Sequence, residues 1–97
     1  MASCEWDETK RLANLEKHGL DFEDARFVYE NTYRFDVHVV VNGEQRIMVF
    51  AYVFDVLSVA TLVVTHRGKR VRCISYRYAH PEEREVYYEW LANDFKK

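Results

Sequence analysis

The sequence predicts an α+β domain in which two N-terminal helices precede a four-stranded antiparallel meander sheet and a C-terminal helix follows it. The Asn42-Gly43 dipeptide is the strongest short hairpin signal in the chain. Strand-like alternation surrounds it from Tyr33 to Tyr78, and helical spacing of apolar residues flanks this region on both sides. With 97 residues, 48% of them hydrophobic, the chain is expected to form a single domain spanning residues 1–97.

Two helices are predicted before the sheet. The first begins after Asp7, whose carboxylate can accept hydrogen bonds from the following turn. It ends at His18, because Gly19 can adopt the left-handed conformation of a helix terminus. The second begins at Asp21 and runs to about Glu30, with acidic residues near its positive end.

The meander is predicted from turn signals between apolar segments. Turns are expected at Asn42-Gly43, near Asp55 and at Gly68, and they separate strands of about 33–41, 44–54, 57–66 and 69–78. Strands joined by such short turns pair antiparallel. Pro81 suits the first turn of a closing helix, whose apolar stripe is Val86, Tyr87, Trp90, Leu91 and Phe95.

The second strand is apolar on both faces. Its side chains alternate between Ile47, Val49, Ala51 and Val53 on one side and Met48, Phe50, Tyr52 and Phe54 on the other. A sheet with one solvated face would alternate apolar and polar residues instead. Helices are therefore expected to cover one face, and either another helix or a second chain, as in a homodimer, the other.

Charge is distributed unevenly along the chain. The stretch 65–81 carries five cations and no carboxylate, whereas residues 1–64 carry six cations against eleven acids and residues 82–97 carry three against five. A concentration of positive charge in a chain of net charge −2 creates a local field that attracts phosphate. The five cations are Arg67, Lys69, Arg70, Arg72 and Arg77.

Composition argues against several classes of protein. The opening residues MASCEWDETK lack the apolar run of a signal peptide, and the longest apolar segments are shorter than a membrane span. Cys4 and Cys73 are too few for a disulfide framework, and no Cys or His spacing predicts zinc. We therefore expect a cytoplasmic protein with reduced thiols, no metal site and no cofactor.

Three separated segments resemble one known family. They are EWDETKRLANLEKHGLDFEDARFVYEN at 5–31, NGEQR at 42–46 and THRGKRVRCISYRYAHPEEREVYYE at 65–89. Their shared positions are Trp6, Asp7, Lys10, Asn14, Lys17, His18, Gly19, Phe22 and Ala25, then Gly43, Glu44 and Arg46, then Arg67, Gly68, Arg72, Ile74, Ser75 and Arg77, and finally Glu83 and Tyr87. In these motifs the chain is similar to the BrnT family, the toxin half of a bacterial type II toxin–antitoxin pair.

The resemblance implies both a fold and a function. The implied fold is that of RelE and other small microbial ribonucleases. The implied activity is that of a metal-independent endoribonuclease that cleaves RNA and inhibits translation. The implied partner is a cognate BrnA-like antitoxin with a ribbon-helix-helix domain, and operator DNA would be bound only through the toxin–antitoxin complex.

Metal-free RNA cleavage requires a base for the 2′-hydroxyl proton, cations for the pentavalent phosphorane and an acid for the departing 5′-oxygen. Arg67 and Arg77 are the predicted phosphate clamps, because a guanidinium donates two parallel hydrogen bonds. His18 is the predicted proton-transfer group, because imidazole changes charge near neutral pH. Further substrate-binding cations are expected at Lys17, Lys69, Arg70 and Arg72.

The closing helix contributes two further candidates. Glu83 and Tyr87 are four residues apart and so lie on one helix face. Glu83 is expected to orient Arg77, and Tyr87 to stack on a base or donate to a phosphate. Each candidate also has a structural interpretation. Tyr87 can be a core residue, and Glu83 a charge at a helix N-terminus. Lys17 and His18 can complement a helix dipole, and the arginines can form surface ion pairs.

Alternation divides the last strand into two faces. Val71 and Cys73, which resemble core residues, would share a face with Ser75 and Arg77, and the opposite face would carry Arg70, Arg72, Ile74 and Tyr76. The ribonuclease interpretation expects Arg67 and Arg77 to converge on one phosphate.

An alternative function is a non-catalytic BrnT-like interaction module that binds an antitoxin-type partner. The acidic balance of the chain and the bulky Tyr76 inside the last motif favour this alternative. The matched positions at 17–19, 67–77, 83 and 87 favour the enzyme.

Overall fold

The computed structural model describes residues 4–95, and its elements confirm the α+β class. In chain order they are β1 (Cys4–Glu5), α1 (Glu8–His18), a 3₁₀ turn (Phe22–Asp24), α2 (Arg26–Tyr29), β2 (Phe35–Val41), β3 (Glu44–Val53), β4 (Ser58–Arg67), β5 (Arg70–Tyr78) and α3 (Pro81–Phe95). The order of strands in the sheet is β1-β5-β4-β3-β2, and β2 to β5 form the predicted antiparallel meander. No helix within the described range is long and apolar enough to cross a membrane.

The sheet has a fifth strand that the sequence did not predict. Cys4 and Glu5 pair in parallel with Val71 and Arg72, so the sheet is mixed and not purely antiparallel. The predicted count of four strands is therefore wrong. A strand of two residues is too short to show a period, which is why alternation could not identify it.

The first helix has the predicted ends. The Asp7 carboxylate accepts hydrogen bonds from the backbone N–H groups of Thr9 (2.8 Å) and Lys10 (3.3 Å). Gly19 takes a φ of 75°, and its N–H donates to the Leu15 carbonyl at 2.8 Å. Because glycine reaches this left-handed conformation without a steric penalty, α1 stops at His18.

The second predicted helix is interrupted. Asp21 caps its start, but a 3₁₀ turn at Phe22–Asp24 precedes a short helix at Arg26–Tyr29, so one continuous helix to Glu30 is not formed. Phe22, Ala25 and Val28, which recur every three residues, are all buried. A three-residue period matches the tighter turn of a 3₁₀ helix, so packing against the sheet favours that geometry at the start of this segment.

Helices cover both faces of the sheet, in agreement with the two apolar faces of β3. On one face Val49 and Ala51 pack against the helical segment between residues 20 and 28. On the other face Phe50 packs against Tyr87 of α3, so a helix of the same chain covers this side. Phe54, predicted to continue the second apolar face, is 80% exposed because β3 ends before it.

A β-bulge at Ile74 changes the alternation of β5. Val63 pairs with Ser75 and Val64 pairs with Cys73, so Ile74 is an extra residue without a partner in β4. An extra residue exchanges the two faces of a strand from that point onward.

The predicted faces of β5 are therefore wrong beyond the bulge. Val71 and Cys73 are buried as expected, but Tyr76 joins them in the same core cluster. Arg77 pairs with Thr61 and lies on the face that α3 covers. Sequence alternation could not reveal this change, because a bulge is defined by pairing with a neighbouring strand.

Candidate nucleic-acid interface

Five arginines share one face of the sheet. Pairing places Arg67 beside Arg70, Thr65 beside Arg72 and Thr61 beside Arg77, and Arg46 follows the same side of β3 by alternation. We call the surface that carries Arg46, Arg67, Arg70, Arg72 and Arg77 the arginine face. The bulge at Ile74 adds Arg77 to this face, because strict alternation would have placed Arg77 on the face opposite Arg72.

The arginine face is extended. Arg67 and Arg77 lie at opposite ends of the β4–β5 hairpin, because Arg77 pairs with Thr61, six residues before Arg67. Six residues of a strand span about 20 Å. The expected convergence of Arg67 and Arg77 on one phosphate is therefore wrong, and the physical reason is their separation along the β4–β5 hairpin.

Carboxylates partly neutralise the far end of this face, which is the end beside the Gly68 turn and away from Arg77. Glu44 lies 2.9 Å from Arg46 and 3.9 Å from Arg67. Glu5 lies 3.5 Å from Arg70 and 3.9 Å from Arg72. Two carboxylates thus accompany four guanidinium groups among the described side chains, and Lys69 adds an exposed cation at the adjoining turn. The surface ion pairs considered for these arginines do form, yet a positive excess remains.

At the opposite end of the face, where α3 begins, Arg77 and Glu83 form an ion pair through two hydrogen bonds. Arg77 Nη1 donates to Glu83 Oε1 at 2.7 Å, and Nη2 donates to Oε2 at 3.1 Å. Glu83 Oε1 also accepts from the Thr61 hydroxyl (3.1 Å) and from the backbone N–H of His80 (2.8 Å). Glu83 therefore has both predicted contacts at once: it holds Arg77 and it satisfies a backbone donor at the start of α3.

The environment of Glu83 favours its charged form. Burial by itself would raise the pKa of the Glu83 carboxyl, but the hydrogen bonds from Arg77, His80 and Thr61 outweigh it and lower the pKa to about 2. The side chains of Arg77 and Glu83 are only 16% and 15% exposed, so the pair is well shielded from water.

A shallow pocket of about 300 Å³ lies where α1 meets β5. Its lining residues are Lys10, Ala13, Asn14, Lys17, His18, Ile74 and Ser75. Asn14 holds the two elements together, because its side-chain amide donates to the Tyr76 carbonyl and accepts from the Tyr76 N–H. Ser75 pairs with Val63 on the arginine face, so the pocket reaches around the edge of β5 toward that face.

His18 is the imidazole that lines this pocket. Burial lowers the pKa of the His18 imidazole, and the positive charges of Lys17, Arg77 and His80 lower it further. Lys10 and Lys17 line the same pocket as His18. A lowered pKa keeps the imidazole neutral at neutral pH, the state in which it can accept a proton.

Tyr87 lies in the core and not on an open surface. It is 1% exposed, packs with Phe50 and Val59, and donates its hydroxyl to the Tyr33 carbonyl at 2.7 Å. Stacking on a base would require an exposed ring, so this position agrees with the core interpretation. Tyr76 is also 1% exposed, in the core cluster on the opposite face, so its bulk does not enter the pocket.

Three residues of this region were not among the predicted site residues: Lys10, Ser75 and His80. Lys10 lies seven residues before Lys17, a spacing that places both on one face of α1 and could have identified it. Helical spacing could not identify Ser75, because the bulge decides its orientation. It could not identify His80 either, because the packing of α3 against β5 decides its position. Across residues 4–95, no group of three or more His, Cys, Asp or Glu side chains is arranged to hold a metal ion.

Comparison with known proteins identifies a family. Residues 6–83 match the model of the family described as the ribonuclease toxin, BrnT, of type II toxin–antitoxin systems. No curated protein matches the chain closely enough to count as a relative. The family match covers α1, the whole meander and the start of α3, and therefore both the arginine face and the pocket beside His18.

Proposed function

Because the chain belongs to the BrnT family of ribonuclease toxins, we propose that it is a metal-independent endoribonuclease that cleaves RNA and thereby inhibits translation. The observation that carries the proposal is the pocket where α1 meets β5, which His18 lines together with Lys10, Lys17 and Ser75. Ser75, one of its lining residues, belongs to the arginine face. A neutral base and phosphate-binding cations are what this chemistry requires.

RNA would lie along β5 on the arginine face. Arg67, Lys69, Arg70 and Arg72 would bind successive phosphates away from the cleaved bond, since they lie at the far end of the hairpin. Their distance from His18 makes them binding residues and not catalytic ones. Arg67 would therefore bind a phosphate away from the cleaved bond, and not the scissile phosphate as the sequence predicted.

Cleavage would proceed by attack of the 2′-oxygen on the adjacent phosphorus. His18 would accept the 2′-hydroxyl proton, and Lys17 and Lys10 would stabilise the negative charge that develops on the phosphorane. Arg77, held by Glu83, would contribute charge from the sheet side. His80, whose side chain is 60% exposed, would donate the proton to the 5′-oxygen as the bond to phosphorus breaks. The products would be a 2′,3′-cyclic phosphate and a 5′-hydroxyl.

The remaining family properties complete the proposal. The chain would act in the cytoplasm of a bacterium as a single RelE-like domain over residues 1–97. A BrnA-like antitoxin with a ribbon-helix-helix domain would neutralise it, and operator DNA would be bound only through their complex. These statements rest on the family alone.

Purified protein with a 5′-labelled single-stranded RNA tests the activity. We expect cleavage that persists in excess EDTA and fragments that end in a 2′,3′-cyclic phosphate. Cleavage that stops when divalent ions are chelated, or products with 3′-hydroxyl ends, would contradict the mechanism.

A second candidate function is a partner-binding module without catalysis. The observation that favours it is the ion pairing of Arg77 with Glu83, which already uses both terminal nitrogens of the guanidinium. Inducible expression in a bacterium separates the two functions. Arrested growth with degraded RNA supports the enzyme, whereas undisturbed growth and intact RNA support the module.

A further inference from the structure

The two cysteines of the chain lie side by side in the fold. In the parallel pairing of β1 with β5, Cys4 faces Val71, and Cys73 lies two residues farther along β5. Val71 and Cys73 precede the bulge at Ile74, so alternation places their side chains on the same face of the sheet. Both thiols pack in the core cluster on that face, and they share a hydrogen bond. The fold therefore brings together one sulfur atom from the first strand and one from the last.

The two thiols differ in exposure and in acidity. Cys73 is 1% exposed, whereas Cys4 is only partly buried and can be reached from the solvent. The hydrogen bond with Cys73 lowers the pKa of the Cys4 thiol, although its partial burial acts in the opposite direction. The same hydrogen bond, together with burial, raises the pKa of the Cys73 thiol. Because the thiolate is the nucleophile, Cys4 is the reactive member of the pair and Cys73 stays protonated beside it.

Two adjacent thiols can either share a metal ion or form a disulfide. A structural zinc ion takes four protein ligands. Within residues 4–95, no cluster of three or more His, Cys, Asp or Glu side chains is placed to hold a metal, so the cysteines have no further ligands beside them. Their contact therefore favours oxidation chemistry over metal binding.

We propose that Cys4 and Cys73 form a reversible oxidation site, at which hydrogen peroxide joins the two thiols in a disulfide that fastens β1 to β5. The Cys4 thiolate attacks one peroxide oxygen, the O–O bond breaks, and the departing hydroxide takes up a proton to become water. The Cys73 sulfur then attacks the sulfenic acid formed on Cys4, and the S–O bond breaks. A second water leaves with the Cys73 proton, and two electrons have passed from the sulfur atoms to the peroxide.

Bond formation requires a small movement of β1. Diagonal neighbours on adjacent strands have Cα atoms about 7–8 Å apart, and a disulfide usually spans about 4.4–6.8 Å between its Cα atoms. β1 is two residues long and, among the described strands, pairs with β5 alone. It can therefore approach Cys73 while the meander keeps its register. The pair is separate from the pocket beside His18, so the proposal stands whether or not the chain cleaves RNA.

Mass spectrometry of the full chain tests the proposal. After treatment with hydrogen peroxide and blocking of free thiols, we expect a monomer that has lost two hydrogen atoms, carries no blocking group and is restored by dithiothreitol. The melting temperature of this oxidised form should rise by at least about 10 °C, because the bond closes a long loop in the unfolded chain. In the reduced protein, iodoacetamide should modify Cys4 before Cys73.

Two variants assign the roles of the thiols. In Cys73→Ala the sulfenic acid on Cys4 has no partner, so dimedone should label it, whereas Cys4→Ser should take up no dimedone. The measurements on the wild type decide the main claim even where Cys73→Ala, which changes the core, fails to fold. Four results would overturn the proposal: two free thiols after peroxide treatment, a disulfide that joins two chains, an unchanged melting temperature of the oxidised form, or dimedone bound to Cys73 in Cys4→Ser.

Discussion

Arg77 and Glu83 join the end of β5 to the first turn of α3 through two hydrogen bonds of 2.7 and 3.1 Å. The same carboxylate accepts from Thr61 and from the His80 N–H, so one side chain connects β4, β5 and α3. This junction therefore holds the start of α3 against the sheet.

Glu83→Gln should destabilise the protein by about 2 kcal/mol, because the charge-assisted bonds to Arg77 become weaker and one donor loses its acceptor. Urea denaturation measures the change in the free energy of unfolding. Glu85→Gln, at an exposed position on the same helix, is the matched control and should change stability by less than about 0.5 kcal/mol. Equal stability of the two variants would show that the junction contributes nothing.

The same carboxylate predicts a pH dependence. The pKa of Glu83 falls to about 2 in the folded protein, below its ordinary value of 4.5. A depressed pKa contributes stability that is complete above pH 4.5 and is lost as pH falls toward 2. Unfolding free energies measured between pH 6 and pH 3 should therefore fall less steeply in Glu83→Gln than in the wild type. Parallel curves would argue against the lowered pKa.

His18→Ala should reduce RNA cleavage by at least roughly 100-fold, because it removes the proposed base. His66→Ala, which removes an exposed imidazole from the far end of the sheet, should leave cleavage unchanged. In the wild type, the acidic limb of the pH–rate profile should have its midpoint below 6.5, since burial and neighbouring cations lower the pKa of His18. A midpoint above 6.5, or full activity in His18→Ala, would remove His18 from the mechanism.

Arg72→Ala should weaken single-stranded RNA binding about equally for different sequences, since phosphate contacts carry no base information. The slope of log affinity against log salt should become shallower by about 0.7, the value for one lost phosphate contact. Arg26→Ala, in the helical segment on the other face of the sheet, should leave the slope unchanged. Fluorescence anisotropy with labelled RNA supplies both measurements.

Tyr87→Phe should cost about 1 kcal/mol of stability through the lost hydrogen bond to the Tyr33 carbonyl, and it should leave RNA cleavage unchanged. The ring remains, so packing against Phe50 is preserved. A large loss of cleavage with little loss of stability would instead show that Tyr87 takes part in catalysis.

Local signals in the sequence predicted the boundaries of most elements correctly. Asp7, Gly19 and Asn42-Gly43 act on backbone groups within a few residues, so their effect can be read without knowing the fold. The short strand β1 and the 3₁₀ turn at Phe22–Asp24 were missed, because each depends on packing against β5 or the sheet.

The candidate site was predicted in part. The motif around Lys17 and His18 and the motif that contains Ser75 line one pocket. The expected position of Arg67 was wrong. The residue type shows that a side chain can bind phosphate, but it does not show where the strand places that side chain. His80 entered the region only through the way α3 returns over the sheet.

By itself, the sequence determined the α+β class, the meander, the caps of α1 and the concentration of positive charge near the last hairpin. Only the tertiary structure decided that Arg77 shares a face with Arg72 and that Tyr76 belongs to the core. The physical reason is the extra residue at Ile74: its effect on β5 exists only in the pairing with Val63 and Val64, which are distant in sequence.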